Sequence, residues 1–115
     1  MRANYVFAGI AAADYEALRA WYERLAGRPP DLVPNEIEVC WRLTETSWIY
    51  VKADPERAGK AFHTILVDDL DGQLAELAER GIASGPVETL PEGVRKTVVT
   101  DPEGNTIQFG EAPGG

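Results

Sequence analysis

Few side chains in this sequence are suited to catalysis, and they do not converge on one recognisable set. The chain has one histidine, His63, and one cysteine, Cys40. A catalytic thiolate requires a nearby base or a positive field, and only Arg42, two positions further along the same strand face, offers one. We therefore expect Cys40 to be buried and unreactive.

Carboxylates are paired at two places in the sequence. Glu36 and Glu38 alternate on one predicted strand face and could attract a cation or act as a base, but nothing places a reacting atom beside them. Asp68 and Asp69 stand immediately before a predicted helix, where an aspartate caps free backbone N–H groups. Capping is the simpler interpretation of the second pair.

A β-hairpin near the C-terminal end is the clearest local element. One strand is predicted at residues 94–100 and a second at residues 106–109, where it carries Gln108. In the turn between them, Asp101 can accept hydrogen bonds from backbone N–H groups, and Pro102 fixes φ near −65°. Gly104 and Asn105 tolerate a positive φ. This combination predicts a tight turn.

The chain contains the same pattern twice. Phe7 and Asp14 recur as Phe62 and Asp69, each 55 positions later. In both halves a predicted strand precedes the aspartate, and an amphipathic helix follows it because apolar residues recur at helical spacing. The aspartates are suited to cap the helix starts, and a glycine (27 or 81) stands near each helix end, where a left-handed C-cap is favoured.

Further strands are predicted after each helix. They cover residues 37–44 and 47–52 in the first half, and a stretch near Val87, residues 94–100 and residues 106–109 in the second. Residues 43–45 resemble residues 99–101 at an offset of 56, whereas Tyr50 matches Gln108 at an offset of 58. We therefore expect the two hairpin turns to differ by two residues. Residues 27–35 are predicted to form a loop.

These elements predict one α+β domain, which is the size that 115 residues allow. Its parts are two βαβββ repeats, at about residues 4–52 and 61–110, a linker at residues 53–60 and a tail at residues 111–115. One repeat alone cannot bury both a sheet face and a helix. Together they predict a curved mixed β-sheet with helices on its convex face and a concave face left for a pocket.

Charge and hydropathy exclude several classes of partner. The net charge of −8 argues against nucleic acid, whose binding depends on lysine and arginine. It is compatible with a cationic small ligand, although most acidic residues are spread over solvated surface. No apolar run approaches the roughly 20 residues that span a bilayer, and residues 6–13 lack the flanks of a signal peptide. We expect a cytoplasmic protein, in agreement with its single cysteine.

The hairpin, the two amphipathic helices and the internal repeat together resemble the vicinal oxygen chelate superfamily. That group contains glyoxalase I, extradiol dioxygenases, fosfomycin-resistance thiol transferases and bleomycin-resistance proteins. The resemblance covers residues 5–109; it is strongest over residues 93–109 and also clear over residues 21–27 and 67–71. It implies the paired-repeat fold and a homodimer, arranged side by side or with exchanged repeats.

The resemblance also identifies the positions at which members of the superfamily bind a metal. In this sequence they are Phe7, Tyr50, Phe62 and Gln108. Phenylalanine cannot ligate a metal and a glutamine carbonyl is a weak ligand, so we expect no metal and no cofactor. His63 stands one residue after a ligand position, and adjacent strand residues point to opposite faces. We therefore expect His63 to face the helices.

Three of the positions that the resemblance assigns to metal ligands carry aromatic rings, so we expect them to bind a ligand by aromatic contacts instead. Aromatic walls bind flat or cationic ligands, and each cation–π contact contributes about 0.5 to 2 kcal/mol. Gln108 would either orient a ligand or form a hydrogen bond on the sheet. The alternative is that the rings fill the interior and leave no pocket. The predicted ligand-binding residues are Phe7, Trp48, Tyr50, Phe62, Thr64 and Gln108.

Three classes of function follow from this sequence. The first is a metal-free protein, similar to the bleomycin-resistance branch, that sequesters a small aromatic or cationic molecule. The second is an enzyme: a metal-dependent lyase, isomerase or dioxygenase of the superfamily, or a metal-free isomerase or cyclase that uses acid–base residues. The third is a regulatory or partner-binding module whose interior is filled, with Phe7 packed against Phe62.

Overall fold

Each half of the chain folds into one helix and one four-stranded mixed sheet in a computed structural model that describes residues 1–113. The first repeat consists of β1 (Val6–Ala12), α1 (Tyr15–Ala26), β2 (Leu32–Asn35), β3 (Glu38–Arg42) and β4 (Ser47–Ala53). The second consists of β5 (Phe62–Leu66), α2 (Leu70–Glu79), β6 (Glu88–Thr89), β7 (Arg95–Thr100) and β8 (Thr106–Glu111). The predicted α+β fold with two βαβββ repeats is confirmed.

The strands of each repeat form a sheet of their own. The strand order is β1-β4-β3-β2 in the first sheet and β5-β8-β7-β6 in the second. Hydrogen bonding therefore divides the expected single curved sheet into two equivalent sheets, joined by a linker that contains a 3-10 turn at Pro55–Arg57. Residues 114 and 115 of the predicted tail lie outside the described part of the chain.

Both helices begin and end at the residues that the sequence indicates. The carboxylate of Asp14 accepts the backbone N–H three residues later at 3.2 Å, and that of Asp69 does the same at 3.1 Å. Gly27 ends α1 with φ at 74°, a left-handed conformation that a side chain would disfavour. Neither helix, nor any other in residues 1–113, has the length and apolar content needed to cross a bilayer.

β2 was missed by the sequence-based prediction, which assigns residues 27–35 to a loop. It pairs with β3 only through Leu32 opposite Cys40 and Asn35 opposite Glu38, and the register shifts between these two pairs. All four residues of β2 are exposed, and one of them is Pro34. A proline-containing edge strand that buries no side chain leaves no alternating hydrophobic pattern to read.

The two repeats have equivalent strand registers. In the parallel pairs β1–β4 and β5–β8, Tyr50 lies opposite Gly9 and Gln108 lies opposite Thr64. Gly9 and Thr64 are 55 positions apart, and Tyr50 and Gln108 are 58 positions apart. The predicted equivalence of Tyr50 and Gln108 is therefore confirmed.

The expected difference between the two hairpin turns is wrong. Trp41 lies opposite Ile49 in the first hairpin, and Val99 lies opposite Ile107 in the second. Both pairs are related by the same offset of 58, so the turns have equal lengths. The similarity of residues 43–45 to residues 99–101 at an offset of 56 is a similarity of residue types without structural equivalence.

One hydrophobic core joins the helix-covered faces of both sheets. Trp41 is fully buried in this core, and its indole N–H donates to the carbonyl of Arg28 at 3.0 Å. Leu18 of α1 and Leu77 of α2 are buried in the same cluster. Burying each such leucine contributes about 1.5 to 3 kcal/mol, so the two repeats stabilise each other.

The turn of the second hairpin is held by its own side chains. As expected, Asp101 accepts the backbone N–H groups of Glu103 and Asn105, at 2.8 and 3.0 Å, and Gly104 has φ at 91°. The tolerance of Asn105 for a positive φ is not used, because no non-glycine residue in positions 1–113 has one. Instead its buried amide donates to Asp101 at 2.7 Å and accepts the N–H of Ala61 at 2.8 Å.

Candidate functional site

Each sheet has one face buried by helices and one open face. Ile49 and Val51 of β4 are buried in the core, so strand alternation places their neighbours Trp48 and Tyr50 on the open face of the first sheet. Phe7 lies opposite Trp48 on the adjacent parallel strand. The expected grouping of these three side chains is therefore observed, and we call them the aromatic face.

The rings of the aromatic face stack and remain accessible. Phe7 and Trp48 have ring centroids 5.5 Å apart and planes inclined by only 14°. Phe7 is 50% exposed despite this contact. The ring of Tyr50 lies directly over Gly9, where an added Cβ would be 2.6 Å from Tyr50 Cζ. The absence of a side chain at Gly9 therefore allows the tyrosine to lie against the sheet.

The remaining predicted residues lie on the open face of the second sheet. Phe62 is 65% exposed, and Thr64 follows it on the same side of β5. The amide nitrogen of Gln108 donates to the Thr64 hydroxyl at 3.5 Å. Phe62, Thr64 and Gln108 thus share the open face of the second sheet, and Thr64 lines a cavity together with Trp48 of the aromatic face.

The structure does not combine the two groups into one filled interior. Among residues 1–113, Phe7 stacks on Trp48 and Trp21 meets Tyr22 edge to face, whereas Phe7 forms no ring pair with Phe62. Both phenylalanines keep half or more of their surface exposed. A partner-binding module was expected to have a filled interior, with Phe7 packed against Phe62. Residues 1–113 do not show this packing.

His63 connects the two repeats. Its Nε2 lies 3.0 Å from the carbonyl oxygen of Gly9 in β1. Because a carbonyl oxygen only accepts, Nε2 carries the hydrogen in this contact. His63 alternates with Phe62 and Thr64 and lies on the side of Ile65, which packs against the core. The expected orientation away from the open face is therefore confirmed.

Cys40 is buried and poorly suited to nucleophilic chemistry. It is 2% exposed, and burial, assisted by the carboxylate of Glu38, raises the pKa of its thiol. The guanidinium of Arg42 instead donates to two carbonyl oxygens of the following turn, at 3.1 and 2.9 Å. The thiol therefore stays protonated at neutral pH, in agreement with the expectation of an inert cysteine.

The sequence pattern of the glyoxalase-like domain matches residues 6–109. The chain belongs to this glyoxalase-like family. A solved glyoxalase / bleomycin resistance protein from Catenulispora acidiphila DSM 44928 is 43% identical to it. The two structures superpose with a TM-score of 0.89, over 95% of this chain and 98% of that chain. The resemblance to the vicinal oxygen chelate superfamily is thereby confirmed.

More distant solved structures share the fold of this glyoxalase-like chain. The bleomycin resistance determinant encoded on transposon Tn5 is 16% identical, with a TM-score of 0.74 over 92% of this chain and 95% of that chain. TnmS3, an antibiotic binding protein from Streptomyces sp. CB03234, is 19% identical, with a TM-score of 0.74 over 97% and 96%. Curated protein sequences give no significant match.

The side chains of this glyoxalase-like chain do not fit a divalent metal ion. Within residues 1–113, no three His, Cys, Asp or Glu side chains are grouped so that they could hold one. Two of the positions that the resemblance assigns to metal ligands, Phe7 and Phe62, have no lone pair to offer, and Gln108 has only its weakly ligating amide oxygen, since its amide nitrogen donates to Thr64. No chemical step through a metal is therefore derived for this site.

A cavity of about 290 Å³ opens at the Tyr50 end of the aromatic face. It is lined by Gly9, Ile10, Ala11, Tyr50, Lys52, Asp54, Arg57, Lys60 and Ala61. Arg57 is bonded to Asp54 at 3.3 Å, whereas neither Lys52 nor Lys60 has a carboxylate within 4 Å among residues 1–113. The local charge is therefore positive, opposite to the charge of the whole chain.

The two lysines change the ligand preference that net charge suggested. An ammonium about 4 Å from a charged ligand contributes about 1 kcal/mol in water, close to the about 0.5 to 1 kcal/mol of an exposed cation–π contact. Lys52 and Lys60 together therefore offset the attraction that Tyr50 offers a cation. The sequence-based prediction did not include Lys52, although alternation in β4 places it on the same face as Tyr50. Lys60 lies in the linker and comes next to the cavity only in the folded chain.

A second cavity, of about 200 Å³, lies between the repeats on the helix-covered side. Its wall is mainly apolar and includes Trp41 and Phe109. The guanidinium groups at its edge are already bonded within the chain: Arg80 donates to the carbonyl of residue 25 at 3.1 Å, and Arg28 pairs with the carboxylate of residue 31 at 3.0 Å. The guanidinium groups of this cavity are therefore not available to a ligand without breaking bonds within the chain.

Proposed function

We propose that this glyoxalase-like chain binds a small planar aromatic molecule on its aromatic face, without a metal ion and without converting it. The observation that carries the proposal is the half-exposed stack of Phe7 on Trp48. A flat ligand adds a further ring to this stack. Covering exposed apolar surface contributes about 25 cal/mol per Å², so a ligand of two fused rings gains enough to bind measurably.

The comparisons support a role in sequestration. The Tn5 determinant is named for bleomycin resistance and TnmS3 for antibiotic binding, and both share this fold at low identity. The metal-dependent lyase, isomerase and dioxygenase alternatives each require three converging lone-pair donors, which residues 1–113 do not provide. A metal-free isomerase or cyclase requires an acid or base beside a bound substrate; Cys40 is buried, and the lysines near Tyr50 serve in this proposal to bind charge rather than to transfer a proton.

We also propose that the chain forms a homodimer, as its superfamily resemblance implies. Large apolar side chains remain uncovered on the open face of the second sheet: Phe62 is 65% exposed and Leu66 is 68% exposed. Contiguous apolar surface of this kind is typical of contact sites. A second copy of the chain is the occupant that we propose for this face.

Variants of the aromatic face test the proposal. Phe7→Leu and Trp48→Leu keep an apolar side chain but remove the stack, whereas Val87→Ala trims an exposed apolar side chain outside both sheets. We expect each ring variant to weaken the calorimetric affinity for a naphthalene probe by about tenfold, which corresponds to about 1.4 kcal/mol, and Val87→Ala to leave it unchanged. Equal affinities of all three variants and the unaltered chain would place the ligand elsewhere.

A further inference from the structure

We propose that the ligand is an aromatic acid, whose rings cover the aromatic face while its oxyanion enters the cavity between Lys52 and Lys60. This inference rests on the proposed function and names its ligand class. It assigns a role to two residues, Lys52 and Lys60, that lie outside the aromatic face. It also reverses the charge preference that the composition of the chain suggested.

The rings and the cations belong to one continuous surface. Tyr50 and Lys52 are alternate residues of β4, so both project from its open face. Their partners across the parallel pairing are Gly9 and Ala11, which have little or no side chain. All four residues line the same cavity. A ligand that covers the aromatic face therefore meets an unobstructed space whose far side carries the Lys52 ammonium.

The second cation comes from the other side of that space. Lys60 lies at the end of the linker, and the following residue, Ala61, donates its N–H to Asn105 of the second repeat at 2.8 Å. This bond holds the chain beside Lys60 against the second repeat. Lys60 and Lys52 therefore both line one cavity of about 290 Å³, together with Tyr50.

Neither Lys52 nor Lys60 forms an ion pair with a carboxylate within residues 1–113. Arg57 is paired with Asp54, so this pair contributes little net charge to the cavity. Glu38 lies opposite Lys52 across β3 and β4, but its carboxylate oxygens are more than 4 Å from the Lys52 ammonium. An ammonium group presents three hydrogen-bond donors and no acceptor. A carboxylate or similar oxyanion is the group that two such cations bind.

Calorimetry with three probes of equal ring size tests the charge preference. The probes are 2-naphthoate, neutral 2-naphthamide and 2-naphthylmethylammonium, titrated at low ionic strength. We expect the acid to bind about tenfold more tightly than the amide, and the ammonium compound to bind most weakly. Lys52→Gln and Lys60→Gln should each remove most of the preference for the acid while leaving the affinity for the amide unchanged.

Arg24→Gln is the matched control, because it removes one positive charge from an exposed position on α1 that does not line this cavity. It should preserve the preference for the acid. Equal binding of acid and amide by the unaltered chain would overturn the ligand class and leave the proposed function standing. Absence of binding by all three probes would overturn both.

Salt dependence keeps the inference testable if a lysine variant fails to fold. In the unaltered chain, the excess affinity for 2-naphthoate over 2-naphthamide should fall several-fold when salt rises from about 0.02 M to about 0.5 M, because exposed charges are screened. An excess that does not change with salt would show that the lysines do not bind the acid group. An equal loss in Arg24→Gln and the lysine variants would contradict the inference in the same way.

Discussion

The hydroxyl of Tyr22, on the helix of the first repeat, donates a hydrogen bond of 2.7 Å to Oδ2 of Asp101, in the hairpin turn of the second repeat. The neighbouring Glu103 accepts the backbone N–H groups of Ala13 and Asp14, both at 2.8 Å, at the start of the same helix. The turn that makes this family recognisable in the sequence therefore acts as a joint between the repeats.

The contribution of this joint can be measured with two tyrosine variants. Tyr22→Phe removes the buried hydrogen bond to a carboxylate, so we expect the free energy of unfolding to fall by about 1.5 to 3 kcal/mol. The hydroxyl of Tyr15 is also buried but has no hydrogen-bond partner within residues 1–113. Tyr15→Phe should therefore be neutral or slightly stabilising. Urea denaturation in which both variants lose equal stability would show that the Tyr22 bond is not special.

A second prediction concerns the helix start that Glu103 caps. Glu103→Ala leaves two backbone N–H groups without their acceptor, and we expect a loss of about 1 to 2 kcal/mol in the free energy of unfolding. Glu45 occupies the equivalent turn position in the first repeat, where it is exposed. Glu45→Ala should change stability by less than about 0.5 kcal/mol. A comparable loss from Glu45→Ala would assign the effect to the turn itself rather than to the joint.

Local signals in the sequence predicted the elements of each repeat. The caps at Asp14 and Asp69 and the left-handed Gly27 depend on interactions within a few residues, and all three were expected. β2 was missed because Pro34 and its exposed neighbours bury nothing. The inter-repeat role of Glu103 was missed because its partners lie about 90 positions away, and no local pattern encodes such a contact.

The candidate site was predictable only in part for the same reason. The family resemblance placed Phe7 and Tyr50 on one face, and strand alternation added Trp48 to that face and directed His63 to the other side. Net charge, in contrast, averages over the whole chain, whereas a ligand responds to the few charges near it. The convergence of Lys52 and Lys60 becomes visible only when the linker is folded against β4.

The buried thiol predicts a pH dependence of stability. The folded-state pKa of Cys40 is raised above its ordinary value of 9.0, first by burial and then by Glu38. Above the ordinary value the unfolded chain releases this proton while the folded chain retains it, so unfolding is favoured. This part of the stability is complete below the ordinary pKa and is lost as the pH rises through the folded-state pKa.

Denaturation of the unaltered chain and of Cys40→Ala between pH 7 and pH 10 measures this effect. We expect the unaltered chain to lose more stability over this range than the variant does. Native Cys40 should also react with iodoacetamide much more slowly than the thiol in urea, since it is 2% exposed. Native and unfolded rates of equal size would mean that the thiol is accessible.

Gly9 provides a test of the site that keeps every aromatic residue in the sequence. An added Cβ would lie 2.6 Å from Cζ of Tyr50, so Gly9→Ala must displace the tyrosine ring. The ring is the mobile end of a side chain, so we expect a stability loss below about 1 kcal/mol. Affinity for a naphthalene probe should fall several-fold. Gly85→Ala, whose nearest contact would be an ordinary 3.5 Å, is the control and should not affect binding.

The most direct test of the central claim is a calorimetric titration of the chain with 2-naphthoate after removal of metals by a chelator. We expect saturable binding of one ligand per chain, with an affinity that does not change when zinc, nickel or manganese is added back. Binding that appears only after one of these metals is restored would contradict a metal-free aromatic site and would make an enzyme of the superfamily the better explanation.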